Sequence, residues 1–402
     1  MSEPADLARL LRRVDTVQPR SEFEQRIAEG RPLRVKLGLD PTAPAVTLGW
    51  AVVLRKLRDF QEQGHTAVLI VGDFTAQVGD PSLRSETRKR LTADEVSEFA
   101  GQVLSQFEKV LLPEPLEVRY NSEWLAALDM PEILELTSTA TVAQLLERGD
   151  FAKRFEANSP ISVMEFMYPL LQGYDSVAVQ ADVELGGSDQ LWNLMMGRAI
   201  QERYGQRAQV AMTMPLLIGT DGSQKMSQSL GNYIGVTEPA EEIFGKTMSI
   251  PDRLMPQWFE LATELPADEV QRVLSGVGDE TIHPRAAKEL LAKSITELYR
   301  GPVEAERAAA DFQRVFSNRD VPDRIETFPL PPEDPVALPQ FFREAGVVKS
   351  AAEARRLLAQ GAIEVNGATM TADQIPRNEL AGALVKVGKR RFLRVGGIEP
   401  TL

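Results

Sequence analysis

The 402-residue chain contains no cysteine, so thiol nucleophiles, disulfide frameworks and cysteine-ligated zinc are excluded, as suits a reducing compartment. Histidine is nearly absent too. His65 and His283 are the only two, and proton transfer through imidazole has those candidates alone. No apolar run reaches the length of a membrane span, and the opening MSEPADLARLLRRVDTV lacks the basic stretch and apolar core of a secretory signal. A cytoplasmic location is expected. Chemistry that works by orientation and charge stabilisation is favoured over attack by a protein side chain.

Positive charge is scarce in most of the chain. With 58 Asp and Glu against 45 Lys and Arg the net charge is −13, which argues against a protein that coats nucleic acid with its whole surface. The imbalance is regional. Val336–Leu402 holds ten basic and six acidic residues, net +4, which leaves −17 on residues 1–335. Any RNA contact is therefore expected in the C-terminal segment.

Between Pro32 and about Val236 short β-branched runs alternate with helical stretches, the pattern of an α/β fold with a mostly parallel sheet. Strands are expected at Leu33–Leu39, Thr66–Phe74, Leu116–Tyr120 and Val210–Ile218, and helices at Trp50–Gln63, from the capping box Thr92–Glu95 towards Leu112, and at Ser188–Tyr204. Ligands of such sheets bind at the carboxyl ends of the strands, which singles out the loops after Leu39 and Phe74. After Val236 the strand signals stop, and Pro239, Pro251, Pro266, Pro284 and Pro302 each precede an amphipathic run. The expected organisation is an α/β domain over 1–236, an α-helical domain over 237–320, a stiff acidic linker over 321–335 and a small third domain over 336–402.

Four patches carry the chemistry: DPTAPAVTLGW at 40–50, GDFTAQVGDPS at 72–82, YPLLQGYD with ELGGSDQ at 168–190, and DGSQKMSQS at 221–229. Tyr168, Gln172 and Asp175 fall at i, i+4 and i+7, which places three polar groups on one helical face. A solvated face is the ordinary explanation of that spacing, and the flanking LLQGYD and GGSDQ argue against it. Arg84 and Arg88-Lys89-Arg90 stand behind GDPS, either as added charge for phosphates or as plain loop charges.

In these patches the sequence resembles the bacterial tyrosyl-tRNA synthetases, class I enzymes with a Rossmann-like catalytic domain. The resemblance covers nearly the whole chain. It implies a tyrosine site in which Asp175 accepts a hydrogen bond from the substrate phenol, Tyr168, Gln172 and Asp80 hold the ammonium group, Gln190 orients the carboxylate and Thr75 contacts the substrate. It implies ATP contacts at Asp40, Gly49, Trp50, Gly187, Asp189, Lys225, Met226 and Ser227, with Asp189 on the ribose. Thr42, Thr47, Lys225 and Gln228 take the catalytic positions, with magnesium arriving on ATP and no metal held by the protein. Two signatures depart from the family: the HIGH segment reads Thr47-Leu48-Gly49-Trp50, and KMSKS reads Lys225-Met226-Ser227-Gln228-Ser229.

From Phe341 the sequence resembles the alpha-L RNA-binding domain. Lys349, Arg355, Arg356, Lys389, Arg390 and Arg391 are then expected to face RNA phosphates, the first three sharing a helical face, with Asn366-Gly367 as a hairpin turn. The activity implied is tyrosine–tRNA ligation: ATP and L-tyrosine give tyrosyl-adenylate, and the tyrosyl group passes to the 3′ end of tRNA(Tyr). The implied partners are that tRNA and a second copy of the chain, with neither DNA nor membrane. The changes at Thr47, Trp50 and Gln228 leave open an alternative, a catalytically impaired paralogue that binds tyrosine or RNA in a regulatory role.

Overall fold

The computed structural model describes residues 4–79, 92–317, 325–388 and 391–397. They divide into two units, Met1–Glu306 and Arg307–Leu402. The first is built on a six-stranded sheet of β1 (Thr16–Gln18), β2 (Arg34–Leu39), β3 (Thr66–Val71), β4 (Leu116–Tyr120), β5 (Val183–Gly187) and β6 (Val210–Met214). The spatial order is β1-β6-β5-β2-β3-β4. Strands β2 to β6 are parallel, and β1 runs antiparallel to β6 along one edge. The chain builds outward through β2, β3 and β4, then returns to add β5 on the other side of β2, so the order reverses between β2 and β5. Loops on either side of such a reversal leave a crevice at the carboxyl ends of the strands.

The inner strands read as apolar runs because helices cover both faces of the sheet. Ala67–Val71 is wholly buried in β3, and all five residues of β6 are buried. Two of the expected strands stop early, at Val71 and at Met214. Beyond Val71 the chain turns at Gly72, and Met214 is followed by Pro215, which has no N–H for a ladder.

Three helices position the site. Leu48–Glu62 is capped by Thr47, whose side chain accepts from the Trp50 amide. Val163–Val179 opens with a capping box between Ser162 and Glu165 and tolerates Pro169 in its interior. Leu191–Arg203 follows a 3-10 turn at Ser188–Gln190, so the helix expected from Ser188 is α-helical only from Leu191. The last two pack closely because both contact points are glycine: a Cβ on Gly173 would lie 3.1 Å from the Gly197 Cα and 2.5 Å from the Ile200 side chain.

Helices Ala240–Met248, Met255–Ala262, Ala267–Gly278 and Pro284–Arg300 follow. Pro239 and Pro266 occupy N-cap positions, and Pro284 the first helical turn. Trp258, Phe259, Leu291 and Ile295 from these helices join the same hydrophobic core as Val35, Leu37 and Leu54.

The second unit holds its own core around Phe342, Leu358, Ile363, Val385 and Leu393. Its strands are β7 (Thr327–Phe328), β8 (Val336–Ala337), β9 (Ile363–Val365), β10 (Ala368–Met370), β11 (Gln374–Ile375), β12 (Leu384–Val387) and β13 (Arg391–Val395). They form a sheet in the order β10-β9-β12-β13-β7 and a two-stranded ladder of β11 with β8. The β9–β10 hairpin turns on Asn366 and Gly367, at φ of 47° and 82°, the doubly positive pair that an Asn-Gly turn adopts.

Candidate active site

At the carboxyl end of β2, Asp40 receives two hydrogen bonds, from the Thr75 hydroxyl at 2.7 Å and from the Tyr168 hydroxyl at 2.9 Å. This links the first patch to the second and third. Only glycine fits beside the cluster, since a Cβ on Gly72 would stand 2.1 Å from Asp40 Oδ1 and 2.4 Å from Thr75 Oγ1.

One and two helical turns further on come Gln172 and Asp175. The expected face forms, and it looks into the protein: Tyr168 and Asp175 are buried. Asp175 accepts from Trp124 Nε1 at 2.9 Å and from Asn121 Nδ2 at 3.3 Å. Burial pushes its carboxyl up to about 6, opposed chiefly by the positive charge of Lys36 and then by these two donors. Gln172 donates to Glu184 Oε1 at 3.3 Å, and the Asn193 amide donates to Gln172 Oε1 at 3.1 Å and Gln190 Oε1 at 2.9 Å. Tyr168, Thr75 and Asp175 therefore share one hydrogen-bonded cluster, joined through Asp40 and through Asn121, which donates to Thr75 Oγ1 at 3.0 Å, while Gln172 and Gln190 share a second through Asn193. Asp80, together with Arg84, Arg88, Lys89 and Arg90, lies outside the described residues.

Gly187 ends β5, and a Cβ there would meet Asp189 Oδ1 and the Leu216 side chain, each at 2.8 Å. Asp189 forms an ion pair with Lys225 at 2.5 Å. Met226 sits over Gly49, 3.4 Å from where a Cβ would be, which brings the TLGW and KMSQS segments face to face. Ser227 donates its amide to Asn232 Oδ1 at 2.8 Å, and Asn232 in turn donates to Asp221 and to the Lys225 carbonyl. The Gln228 side chain is engaged with the backbone of Ala45, donating to its carbonyl and accepting from its amide at 3.2 Å. Thr42 donates its amide to the Asp40 carbonyl in the same loop. Thr47 is buried and serves as a helix cap, while Trp50 is half-buried and packs against the core.

Neither histidine belongs to the site. His65 Nδ1 accepts from the Leu33 amide at 3.1 Å near the amino end of β3, and His283 Nδ1 caps its helix through the Arg285 amide at 3.1 Å. Among the described residues no group of three or more His, Cys, Asp or Glu side chains is placed to hold a metal ion, and no helix is long and apolar enough to cross a membrane.

In the second unit Arg355 and Arg356 lie on the helix Ala351–Ala359, but Lys349 precedes its N-cap Ser350, so the three do not share a helical face. Glu353 draws the Lys349 amide onto its carboxylate instead, at 2.8 Å. Arg355 pairs with Asp373 at 3.4 Å and Arg391 with Glu353 at 3.5 Å. Lys389 and Arg390 lie outside the described residues.

Sequence reading missed Asn121, Trp124, Gly72, Asn193, Lys36 and Glu184. The last two carried a signal: a lysine and a glutamate, each directly between two apolar residues of a strand.

The strand reversal between β2 and β5, with the polar face of Val163–Val179 and the facing TLGW and KMSQS segments, is the arrangement expected of a class I synthetase core. Residues 28–317 match the family described as tRNA synthetases class I (W and Y). Over 398 residues the chain is 48% identical to the tyrosine–tRNA ligase of Moorella thermoacetica, covering 98% of this chain and 96% of that protein. The tyrosine–tRNA ligase of Thermotoga maritima is 45% identical over 98% of both chains. The chain belongs to the tyrosine–tRNA ligase family. In fold it is similar to the tyrosyl-tRNA synthetase of Archaeoglobus fulgidus solved with L-tyrosine, at TM-score 0.61 and 22% identity over 76% of this chain and 99% of that one. A truncated mitochondrial tyrosyl-tRNA synthetase from Aspergillus nidulans is similar at TM-score 0.64 and 20% identity, over 77% and 93%.

Proposed function

We propose that this chain is a working tyrosine–tRNA ligase. One observation supports it above the rest: Asp40, Thr75, Tyr168 and Asp175 are joined, through Asn121, in one hydrogen-bonded cluster beyond the carboxyl ends of the strands. Whole-length similarity to curated ligases favours this over an impaired paralogue.

In this reading Asp175 accepts the phenol hydrogen bond of L-tyrosine, Tyr168, Gln172, Thr75 and Asp80 hold its ammonium end, and Gln190 orients its carboxylate. A carboxylate oxygen attacks the α-phosphorus of ATP, and the bond to the β-phosphate oxygen breaks to release pyrophosphate. The crevice accelerates the step by in-line positioning and charge neutralisation, with magnesium carried by the phosphates of ATP. Asp189 meets the ribose, Gly49, Gly187, Met226 and Ser227 allow the nucleotide to lie close to the backbone, and Trp50 offers an apolar edge. Lys225 and Thr42 face the leaving pyrophosphate, which requires Lys225 to exchange Asp189 for phosphate. Thr47 secures the helix N-terminus behind the phosphates, and Gln228 secures the loop. The terminal ribose hydroxyl of tRNA(Tyr) then attacks the carbonyl carbon and AMP departs.

The tRNA is held by the helical region and by Lys349, Arg355, Arg356, Lys389, Arg390 and Arg391. The active species is a homodimer in the cytoplasm. The exposed apolar side chains of Met130, Leu134, Val142, Phe155 and Val163, clustered in residues 130–163, support a subunit interface there.

The test is tyrosine-dependent exchange of pyrophosphate into ATP, run beside charging of tRNA(Tyr). Exchange together with charging is expected; binding of tyrosine without exchange would return the protein to the paralogue reading.

A further inference from the structure

Lys36 and Glu184 are registered opposite each other on β2 and β5 in the middle of the sheet. Their charged groups are 2.9 Å apart and 0% and 1% exposed. The Lys36 ammonium has three N–H donors and three acceptors near them: the Glu184 carboxylate, the Gln172 carbonyl at 2.9 Å and the Ser176 hydroxyl at 2.8 Å. Glu184 is as fully engaged, accepting from Gln209, from Gln172 and from Ser176. An ion pair in the interior of a sheet is a poor route to stability, because desolvating two charges costs about as much as their attraction returns, and apolar pairs of the same volume often do better. The location of this pair is informative. It grips both ends of the turn Gln172–Ser176, the turn that carries Asp175.

We propose that the buried Lys36–Glu184 pair is a positioning unit for amino-acid specificity: it clamps the Gln172–Ser176 turn onto the sheet and keeps a positive charge next to the carboxylate that reads the substrate phenol. The inference rests on Asp175 being the phenol acceptor. Both Asp175 oxygens are already engaged, one with Trp124 and one with Asn121. A phenol donor is then best received as a charge-assisted bond to the anion, whose oxygens keep acceptor sites beside those two bonds, whereas protonation would take one of them up. The charged groups that act on Asp175 are Lys36 from β2 and Glu184 from β5; residues 121–124 supply neutral donors, and on its own helix Tyr168 turns its hydroxyl to Asp40. Lys36 draws the Asp175 carboxyl down and Glu184 drives it up, the lysine having the larger influence.

The experiment measures kcat/KM for tyrosine and for phenylalanine in pyrophosphate exchange across pH, using the full chain with Lys36→Met, Glu184→Gln, the double substitution and Asp175→Asn. Lys36→Met should move the acid limb of the tyrosine profile up by about one pH unit, and Glu184→Gln should move it down. The double variant keeps the volume and leaves no unpaired buried charge, so it remains informative if Lys36→Met fails to fold; its limb should lie above wild type. The phenylalanine profile should not shift. Movement of both single variants in the same direction, or no movement of the double variant, would overturn the proposal while Asp175→Asn still abolished the tyrosine preference. A preference that survived Asp175→Asn would remove the phenol reading itself, and the proposal with it.

Discussion

Gln228→Ala removes the two hydrogen bonds that fasten the KMSQS loop to the backbone of Ala45. Both are neutral and partly exposed, and such bonds contribute about 1 kcal/mol each. Losing about 2 kcal/mol should lower the ratio of docked to undocked loop about 30-fold. Met226 would then leave the surface of Gly49, and Lys225 would no longer be presented beside Asp189. Because the Gln228 side chain fastens the loop to Ala45, the loss should fall on ATP affinity: KM for ATP in pyrophosphate exchange rises by up to about 30-fold, and kcat at saturating ATP changes by less than about threefold. Amide hydrogen exchange of residues 221–232 without ATP should quicken in parallel. A fall in kcat with KM for ATP and amide protection unchanged would refute this reasoning, because that pattern belongs to a group acting on the leaving pyrophosphate in the transition state.

Other perturbations follow from the same geometry. Gly72→Ala places a methyl group inside the Asp40–Thr75 contact, and should cost about 1–3 kcal/mol of stability and lower kcat/KM for tyrosine at least about tenfold; urea unfolding and exchange kinetics measure both. Asp175 is pushed from the ordinary 3.8 up to about 6, so the folded state holds that proton more tightly and stability is lost as pH rises between those two values. The loss is about 3 kcal/mol for a shift of this size. Asn carries no such charge, so the stability difference between Asp175→Asn and wild type should move by about 3 kcal/mol in favour of the variant from about pH 3.5 to about pH 7. Tryptophan fluorescence is the readout, because Trp50, Trp124, Trp192 and Trp258 all lie within Met1–Glu306. Replacing Arg355, Arg356 and Arg391 together by Ala should weaken tRNA binding and flatten its salt dependence by about one unit of slope per lost phosphate contact; an unchanged slope would place the RNA contact elsewhere.

Much of this was legible in the sequence where local rules and global fold agree. The β-branched runs of β2 and β3, the cap at Thr92 and the Asn366-Gly367 turn each obey a short-range rule, and the i, i+4, i+7 spacing of Tyr168, Gln172 and Asp175 survived because the helix is real. What stayed hidden depends on long-range contacts. Strand β1 has three residues and exists by pairing with β6, and β5 ends in the Gly-Gly pair that reads as a turn. Asn121 and Trp124 come from a short helix after β4 and touch Asp175 across about fifty positions of chain. Lys36 gains its partner Glu184 only through the order of the sheet, which sets β5 beside β2. Thr47 and Trp50, judged only by what they replace, have local duties as a cap and a core contact.

The most direct test of the tyrosine pocket is calorimetric titration of the full chain near neutral pH with L-tyrosine and with L-phenylalanine. The account predicts a clear tyrosine isotherm and a preference over phenylalanine of at least about tenfold, since the phenylalanine ring cannot make the charge-assisted hydrogen bond to Asp175, worth about 1.5–3 kcal/mol. Equal affinity for the two, or no heat with tyrosine in the presence or absence of ATP, would contradict it.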